Sequence, residues 1–441
     1  MILGLDIGTT SVSGVLVDPA HGNVVGSTSQ YHNADVAGLP PGCHEQCPRK
    51  ILDVTMEVVR SLANQAQEPV EHIALTGQMH GIMAVDADLN PVTNLITWRD
   101  QRTADCPDHL RNHPHTSETG CFLHPGYGGL TLHKLLEKGD LPENAHKVLS
   151  IAGFIAAALT GTCSIDETFA ASWGIWNARG NTWHDALLAE LRIPVTLLPD
   201  FAPSCGNLAP VMNPKNLGLA TRAMMYSPVG DNQAGVAGVL NPDKSEAVVN
   251  LGTSGQLSVP LADYAFSPKL ETRPCPGGRY IQIYAALCGG WSYAYLAGFF
   301  KQVIEQLGEK QISISDVYNG MQAFCQSTDA CGLTVDTRFA GERTGTQRSG
   351  AFLGIDTKNL TPENLTRGCI NGMVDELASA AKLVNLTAID GLVAVGNAVR
   401  KNPLVLTALQ EQFGLPCRMV EMPEEAATGA VKSVVKLRDL G

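Results

Sequence analysis

Two short segments of this chain, 244 residues apart, carry the same pattern. Leu5-Asp6-Ile7-Gly8-Thr9-Thr10-Ser11 and Val249-Asn250-Leu251-Gly252-Thr253-Ser254-Gly255 each set an apolar strand, a glycine turn and a pair of hydroxyl side chains in one register. A repeat of that period is domain-sized, so it argues for duplicated domains and against a solenoid. The chain has 441 residues, more than one hydrophobic core usually serves, and two domains of roughly 200 residues each are expected. The boundary falls near Leu240, separating 1–240 from 241–441.

Around each repeat the pattern reads as a β-hairpin: Ile2 to Asp18 breaks at Gly8-Thr9-Thr10, and Ala247 to Leu257 breaks at Gly252. A helix is expected from Pro48 to Leu62, with Pro48 in the first turn. Strand signals at 72–75 and 81–85 flank the polar break Thr76-Gly77-Gln78-Met79-His80. Near Ser227 the chain again reads strand, turn, helix: Pro228-Val229-Gly230-Asp231-Asn232 leads into the small-residue run Ala234 to Val239. The stretch 102–198, rich in His, Pro, Trp and Gly, reads as an elaboration of the first domain.

A glycine at each turn lets backbone approach an anion and tolerates positive φ, while Thr9, Thr10, Thr253 and Ser254 add hydroxyl donors. Together these make a phosphate cradle. A carboxylate beside such a cradle repels the phosphate unless a cation intervenes, so Asp6 reads as a holder of Mg²⁺, or else as a plain turn-forming Asp. Asp231 stands where a strand gives way to a helix and can either cap that helix or serve as a base. Phosphoryl transfer to an alcohol needs such a base within hydrogen-bond reach of the hydroxyl, which makes Asp231 the catalytic candidate and a second candidate metal ligand. Trp98, Arg99, Asp100 and Arg102 suit a polyol or a surface ion-pair cluster, and Trp173, Trp176 and Trp183 suit a core. Cys43-His44-Glu45-Gln46-Cys47 lacks the matching pair that would close a zinc site.

A net charge of −12 argues against a nucleic-acid partner. Twelve cysteines at irregular spacing read as free thiols, the N-terminus lacks the pattern of a signal peptide, and no apolar run suits a membrane span. The cytoplasm is the expected compartment, and a homodimer is compatible with these features.

Taken in order, Asp6-Ile7-Gly8-Thr9-Thr10, Gly77-Gln78-Met79-His80-Gly81, Trp98-Arg99-Asp100-Gln101-Arg102, Gly230-Asp231-Asn232, Leu251-Gly252-Thr253-Ser254, Gly341-Glu342-Arg343-Thr344 and Gly396-Asn397-Ala398 resemble the FGGY carbohydrate kinases, in the actin-like ATPase superfamily. The resemblance implies an α/β fold of two actin-like (RNase H-like) domains with a central interdomain cleft, ATP and Mg²⁺ as cofactors, and a small sugar as substrate. It implies Asp231 as general base, Asp6 at the metal, and Gln78, Met79, His80, Asp100 and Asn232 near the sugar. Gly8, Thr9, Thr10, Gly252, Thr253 and Ser254 would hold phosphates, and Gly396, Asn397 and Asn402 would line the adenine, Gly396-Asn397 standing where the family has Gly-Gly. Gln-Met-His-Gly resembles the ketose branch, with sedoheptulose favoured and D-xylulose the alternative. Two rivals remain: an actin-like ATPase chaperone or filament protein, and a catalytically silent sugar sensor.

Overall fold

The computed structural model describes residues 1–241, 243–341, 349–384 and 386–439. The chain divides into two compact units, Met1–Val239 with Leu261–Ile281 and Met422–Gly441, and Leu240–Pro260 with Gln282–Glu421. Two consecutive halves, 1–240 and 241–441, were the expectation; instead, two later segments return to the first unit. The physical reason is visible in the helix Glu425–Asp439, whose Ala427, Ala430, Val431 and Val434 are buried with Ile2, Val15, Val17 and Ala74 of the first sheet.

The first unit is built on seven strands among the described residues: β1 (Ile2–Ile7), β2 (Ser11–Asp18), β3 (Asn23–Tyr31), β4 (His72–Gly77), β5 (Asn207–Pro210), β6 (Met224–Tyr226) and β7 (Val229–Gly230). Their order is β5-β6-β4-β1-β2-β3, with β7 also beside β4. β1 and β2 are near-continuous apolar runs because both faces of the sheet are covered, with Leu3, Leu5, Ile7, Val12 and Val15 at most 1% exposed. β3 alternates exposed and half-buried residues, and its Ser, Thr and Gln side chains suit an outer strand. Helix α1 (Pro48–Gln65) runs one turn beyond the expected Leu62 and buries Ile51, Thr55, Val58, Val59 and Leu62 at helical spacing. Helix α2 (Asp231–Val239) begins three residues earlier than the small-residue run suggested, so Asp231 is its first residue.

In the second unit, β8 (Glu246–Leu251) pairs antiparallel with β9 (Gly255–Leu261) and parallel with β10 (Gly391–Val395), which pairs parallel with β11 (Cys417–Met419). The first unit has the same sequence of senses: β1 is antiparallel to β2 and parallel to β4, which is parallel to β6. Asp6 and Asn250 thus sit at corresponding points, each one residue before the end of the inner hairpin strand. This unit also contains the helices α3 (Gly290–Gly308), α4 (Asn397–Lys401) and α5 (Pro403–Phe413). Among the described residues no helix is long and apolar enough to cross a membrane, and all twelve cysteines are unpaired thiols.

Candidate functional site

The hairpin register sets Asp6 between Ser13 of β2 and Thr76 of β4. Its Oδ1 is buried without a hydrogen-bond partner. Burial, and then the negative charges of Asp231 and Glu424, push the carboxyl up to about 7. Asp231 is likewise pushed up to about 6, chiefly by burial, although its Oδ1 accepts the amide of Asn232 at 2.7 Å. Two carboxylates that repel each other, one with an unsatisfied oxygen, form the donor set a hard divalent cation takes, so these residues fit Mg²⁺.

The local fold holds Asp231 from behind. The amide of Gly230 donates to Thr168 Oγ at 2.7 Å, and the Thr168 hydroxyl donates to the buried Asp166, which also accepts from Ser204 Oγ. Burial and the neighbouring Glu167 push Asp166 up to about 7. A Cβ on Gly230 would lie 2.6 Å from Met79 Sδ, so glycine there and the thioether beneath it are matched.

The turn Gly8–Thr10 is braced by amides. Gln78, 3% exposed, donates to Gln46 Oε1 at 3.0 Å and to the Gly8 carbonyl at 3.4 Å, and accepts from Thr9 Oγ at 3.3 Å. Gln46 donates in turn to the Thr9 carbonyl at 2.7 Å. Thr9 Oγ also accepts from Trp98 Nε1 at 3.0 Å, and Thr10 is exposed. Positive φ, offered as one reason for glycine in the turns, is found at neither Gly8 nor Gly252. At Gly8 a Cβ would press on the Ser11 carbonyl at 3.0 Å, whereas at Gly252 the nearest atom would be 4.0 Å away.

The residues expected near the sugar divide by their surroundings. His80 is half-buried with φ +71°, an uncommon conformation for a residue with a side chain. Its amide donates to Ser172 Oγ at 3.1 Å, its Nδ1 meets the Ser172 carbonyl at 2.7 Å, and its ring stacks on Tyr127 with centroids 4.4 Å apart. A carbonyl only accepts, so Nδ1 carries a proton and the Nε2 of the neutral ring is an acceptor. Asn232 is half-buried beside Asp231. Asp100, by contrast, is fully buried and accepts from the amides of His44 and Arg102 and from the Arg102 guanidinium, whose Nε lies 2.8 Å away. Asp100 is thus engaged in the ion-pair cluster. Gln78 and Met79 are buried as well. Trp173 and Trp176 are at most 1% exposed and belong to the core.

In the second unit, the carbonyls of Gly252 and Thr253 accept from the amides of Gly290 and Gly289 at 2.8 and 3.0 Å, locking the turn Gly252–Ser254 to the start of α3. Gly396, at φ +99°, precedes α4 and lies so close to β8 that a Cβ would be 2.5 Å from the Leu251 carbonyl. Gly396 and Asn397 therefore stand directly beside the second turn. Asn402 is 7% exposed, and its Oδ1 caps α5 by accepting from the Leu404 amide at 3.1 Å. Of Gly341-Glu342-Arg343-Thr344, residues 342–344 lie outside the described residues.

Gln46, Thr168, Ser172, Tyr127 and Glu424 were not singled out by sequence reasoning, because each is distant in sequence from the group it supports. Gln46 lies in the Cys43–Cys47 segment and Tyr127, Thr168 and Ser172 in the stretch 102–198, but nothing local marks them out within either. One further constellation joins His115, Glu118 and His184, with ligand atoms within 4.8 Å of one another. His184 Nδ1 accepts the Leu187 amide, so Nε2 keeps its proton in the neutral ring and has no lone pair for a metal.

Repeated hairpin sheets with a glycine–hydroxyl turn in each, and paired carboxylates in the first, define an α/β protein of two actin-like domains. The family model for the N-terminal domain of the FGGY family of carbohydrate kinases matches residues 1–238, and the chain belongs to that family and is a carbohydrate kinase. Human sedoheptulokinase is 26% identical over 476 aligned residues, spanning 99% of this chain and 97% of its own length. Xylulose kinase of Staphylococcus xylosus is 25% identical, spanning 91% of this chain and 83% of its own. Among solved structures, a ligand-bound xylulose kinase from Lactobacillus acidophilus is 23% identical with a TM-score of 0.87, and covers 100% of this chain and 90% of its own.

Proposed function

We propose that this kinase transfers the γ-phosphoryl group of ATP to a hydroxyl of a ketose, sedoheptulose yielding sedoheptulose 7-phosphate, with D-xylulose to D-xylulose 5-phosphate as the second reading. The observation that carries the chemistry is the juxtaposition of Asp231 with the orphaned oxygen of Asp6. The order of sugars rests on the sedoheptulokinase and xylulose kinase relatives and on Gln78-Met79-His80.

Asp231 accepts the proton of the attacking hydroxyl; a base raised to about 6 is ionised at neutral pH yet basic enough to help. Asp6, with Asp231, would hold Mg²⁺, whose charge would offset that of the phosphates. Gly8, Thr9 and Thr10 offer donors to phosphate from the first unit, and Gly252, Thr253 and Ser254 from the second. The open space at Gly252 supports that role, since nothing in the chain itself demands glycine there. Gly396 and Asn397 line the adenine, with Asn402 setting the start of α5 behind them. His80 and Asn232 contact the sugar, while Gln78, Met79 and Asp100 position what does. The first unit thereby serves the sugar and the second the nucleotide, and the unpaired thiols favour the cytoplasm.

Coupled ADP release should be measured over sedoheptulose, D-xylulose, L-xylulose, D-ribulose, D-fructose and glycerol. Sedoheptulose is expected to give the highest kcat/KM; ATP binding without turnover of any of them would support a silent sensor. Asp231→Asn should cut kcat by at least about 100-fold while ATP binding persists. Near-normal turnover would remove Asp231 from the role of base.

A further inference from the structure

His80 is held by the Ser172 segment, which meets its Nδ1 and main-chain amide, and its imidazole stacks on the Tyr127 ring at an interplanar angle of 12°. Both lead to one side chain. Arg273, on the strand Glu271–Cys275, is 2% exposed. It donates from one terminal nitrogen to the Ala171 carbonyl at 2.7 Å and from the other to the Tyr127 hydroxyl at 3.0 Å. Its charge is matched by Glu271, at 2.7 Å, and the Tyr127 hydroxyl donates to the same carboxylate at 2.6 Å. The guanidinium also lies over the Tyr127 ring, 5.3 Å from its centroid.

We propose that Arg273 is a positioning residue for sugar recognition, its planar fork fixing the Tyr127 ring and the peptide before Ser172 together and so setting the His80 imidazole. This rests on the reading of His80 as a sugar contact. A buried cation needs a partner, and Glu271 supplies it; pairing alone would not require contacts to two other elements. Lysine, a point charge without the fork, can satisfy Glu271 but not both remaining acceptors in their present geometry. The left-handed backbone at His80 adds to the need, because a residue held off its preferred conformation keeps its aim only if its surroundings over-determine it.

The test is steady-state kinetics on the full chain, with sedoheptulose and with D-xylulose as probes, for Arg273→Lys, Tyr127→Phe, His80→Ala and the double variants with His80→Ala. Arg273→Lys should raise the sugar KM about tenfold and leave the ATP KM within about twofold, a split that general loosening would not produce. Tyr127→Phe, which keeps the stack and loses the hydroxyl, should show a smaller rise of the same kind. Neither change should add to the defect of His80→Ala, since all act through one ring. If His80→Ala is silent, the sugar-contact reading falls and this inference with it. If His80→Ala impairs sugar use while Arg273→Lys and Tyr127→Phe stay within about twofold of the parent, only the inference falls. Should Arg273→Lys fail to fold, Tyr127→Phe decides: non-additivity with His80→Ala supports the proposal, and additivity overturns it.

Discussion

At the scale of single residues, the site is governed by carboxylates raised above their ordinary range. Asp231 titrates near 6 and must be ionised to accept a proton, so kcat should fall as pH drops through about 6, which a pH–rate profile checks. For stability the sign is opposite. Asp6, raised to about 7, binds its proton more tightly in the folded than in the unfolded chain. Its contribution is most favourable below the unfolded value near 3.8 and is lost as pH rises toward 7. Asp6→Asn should therefore stabilise the metal-free protein at pH 8 by on the order of 1–2 kcal/mol and have little effect at pH 4, as thermal unfolding would show. Mg²⁺ should raise Tm at pH 8 in the parent, and less in the variant. Asp6 and Asp231 were both legible in the sequence, as acids beside glycine turns. Their raised titration was not, since it depends on burial and, for Asp6, on Asp231 and on Glu424, 225 and 418 residues further along the chain.

Among elements, the closest approach near the base is between α2 and the helix Glu425–Asp439. A Cβ on Gly429 would lie 1.7 Å from the Ala234 carbonyl, and one on Gly238 would lie 2.5 Å from the Glu425 carbonyl. Backbone stands against backbone, so no side chain can yield. Gly429→Ala should destabilise the first unit by about 2 kcal/mol or more and lower kcat by displacing α2, measurable by denaturant unfolding alongside turnover. Thr168→Val, isosteric but unable to accept from the Gly230 amide, should speed exchange of that amide and reduce kcat, and Thr168→Ser should restore both. The hairpins, α1 and the presence of α2 could be read from apolar period, Pro48 and turn residues, while the first turn of α2 could not. The strand expected over 81–85 narrows to Met83–Val85, because the chain bends at His80, at φ +71°, and Ile82 makes only an isolated bridge to Ile96.

For the whole molecule, the interleaving of the units has a direct consequence. A chain ending at Glu421 lacks the apolar face of Ala427, Ala430, Val431 and Val434, each at most 1% exposed. It should fail to form a stable first unit, seen as loss of sugar-dependent turnover and of the cooperative unfolding transition, whatever the state of residues 282–421. Residues 1–240 expressed alone should aggregate for the same reason. The sequence by itself determined the duplicated hairpins, the family and the principal acids, because strand period, glycine turns and short motifs are local and survive without any knowledge of neighbours. Only the tertiary structure decided that Asp100, Gln78 and Met79 are buried, that the last helix packs with the first sheet, and that one arginine at 273 reaches both the Tyr127 hydroxyl and the Ala171 carbonyl. Burial and contact between segments far apart in the chain depend on where the backbone returns, and no local pattern records that.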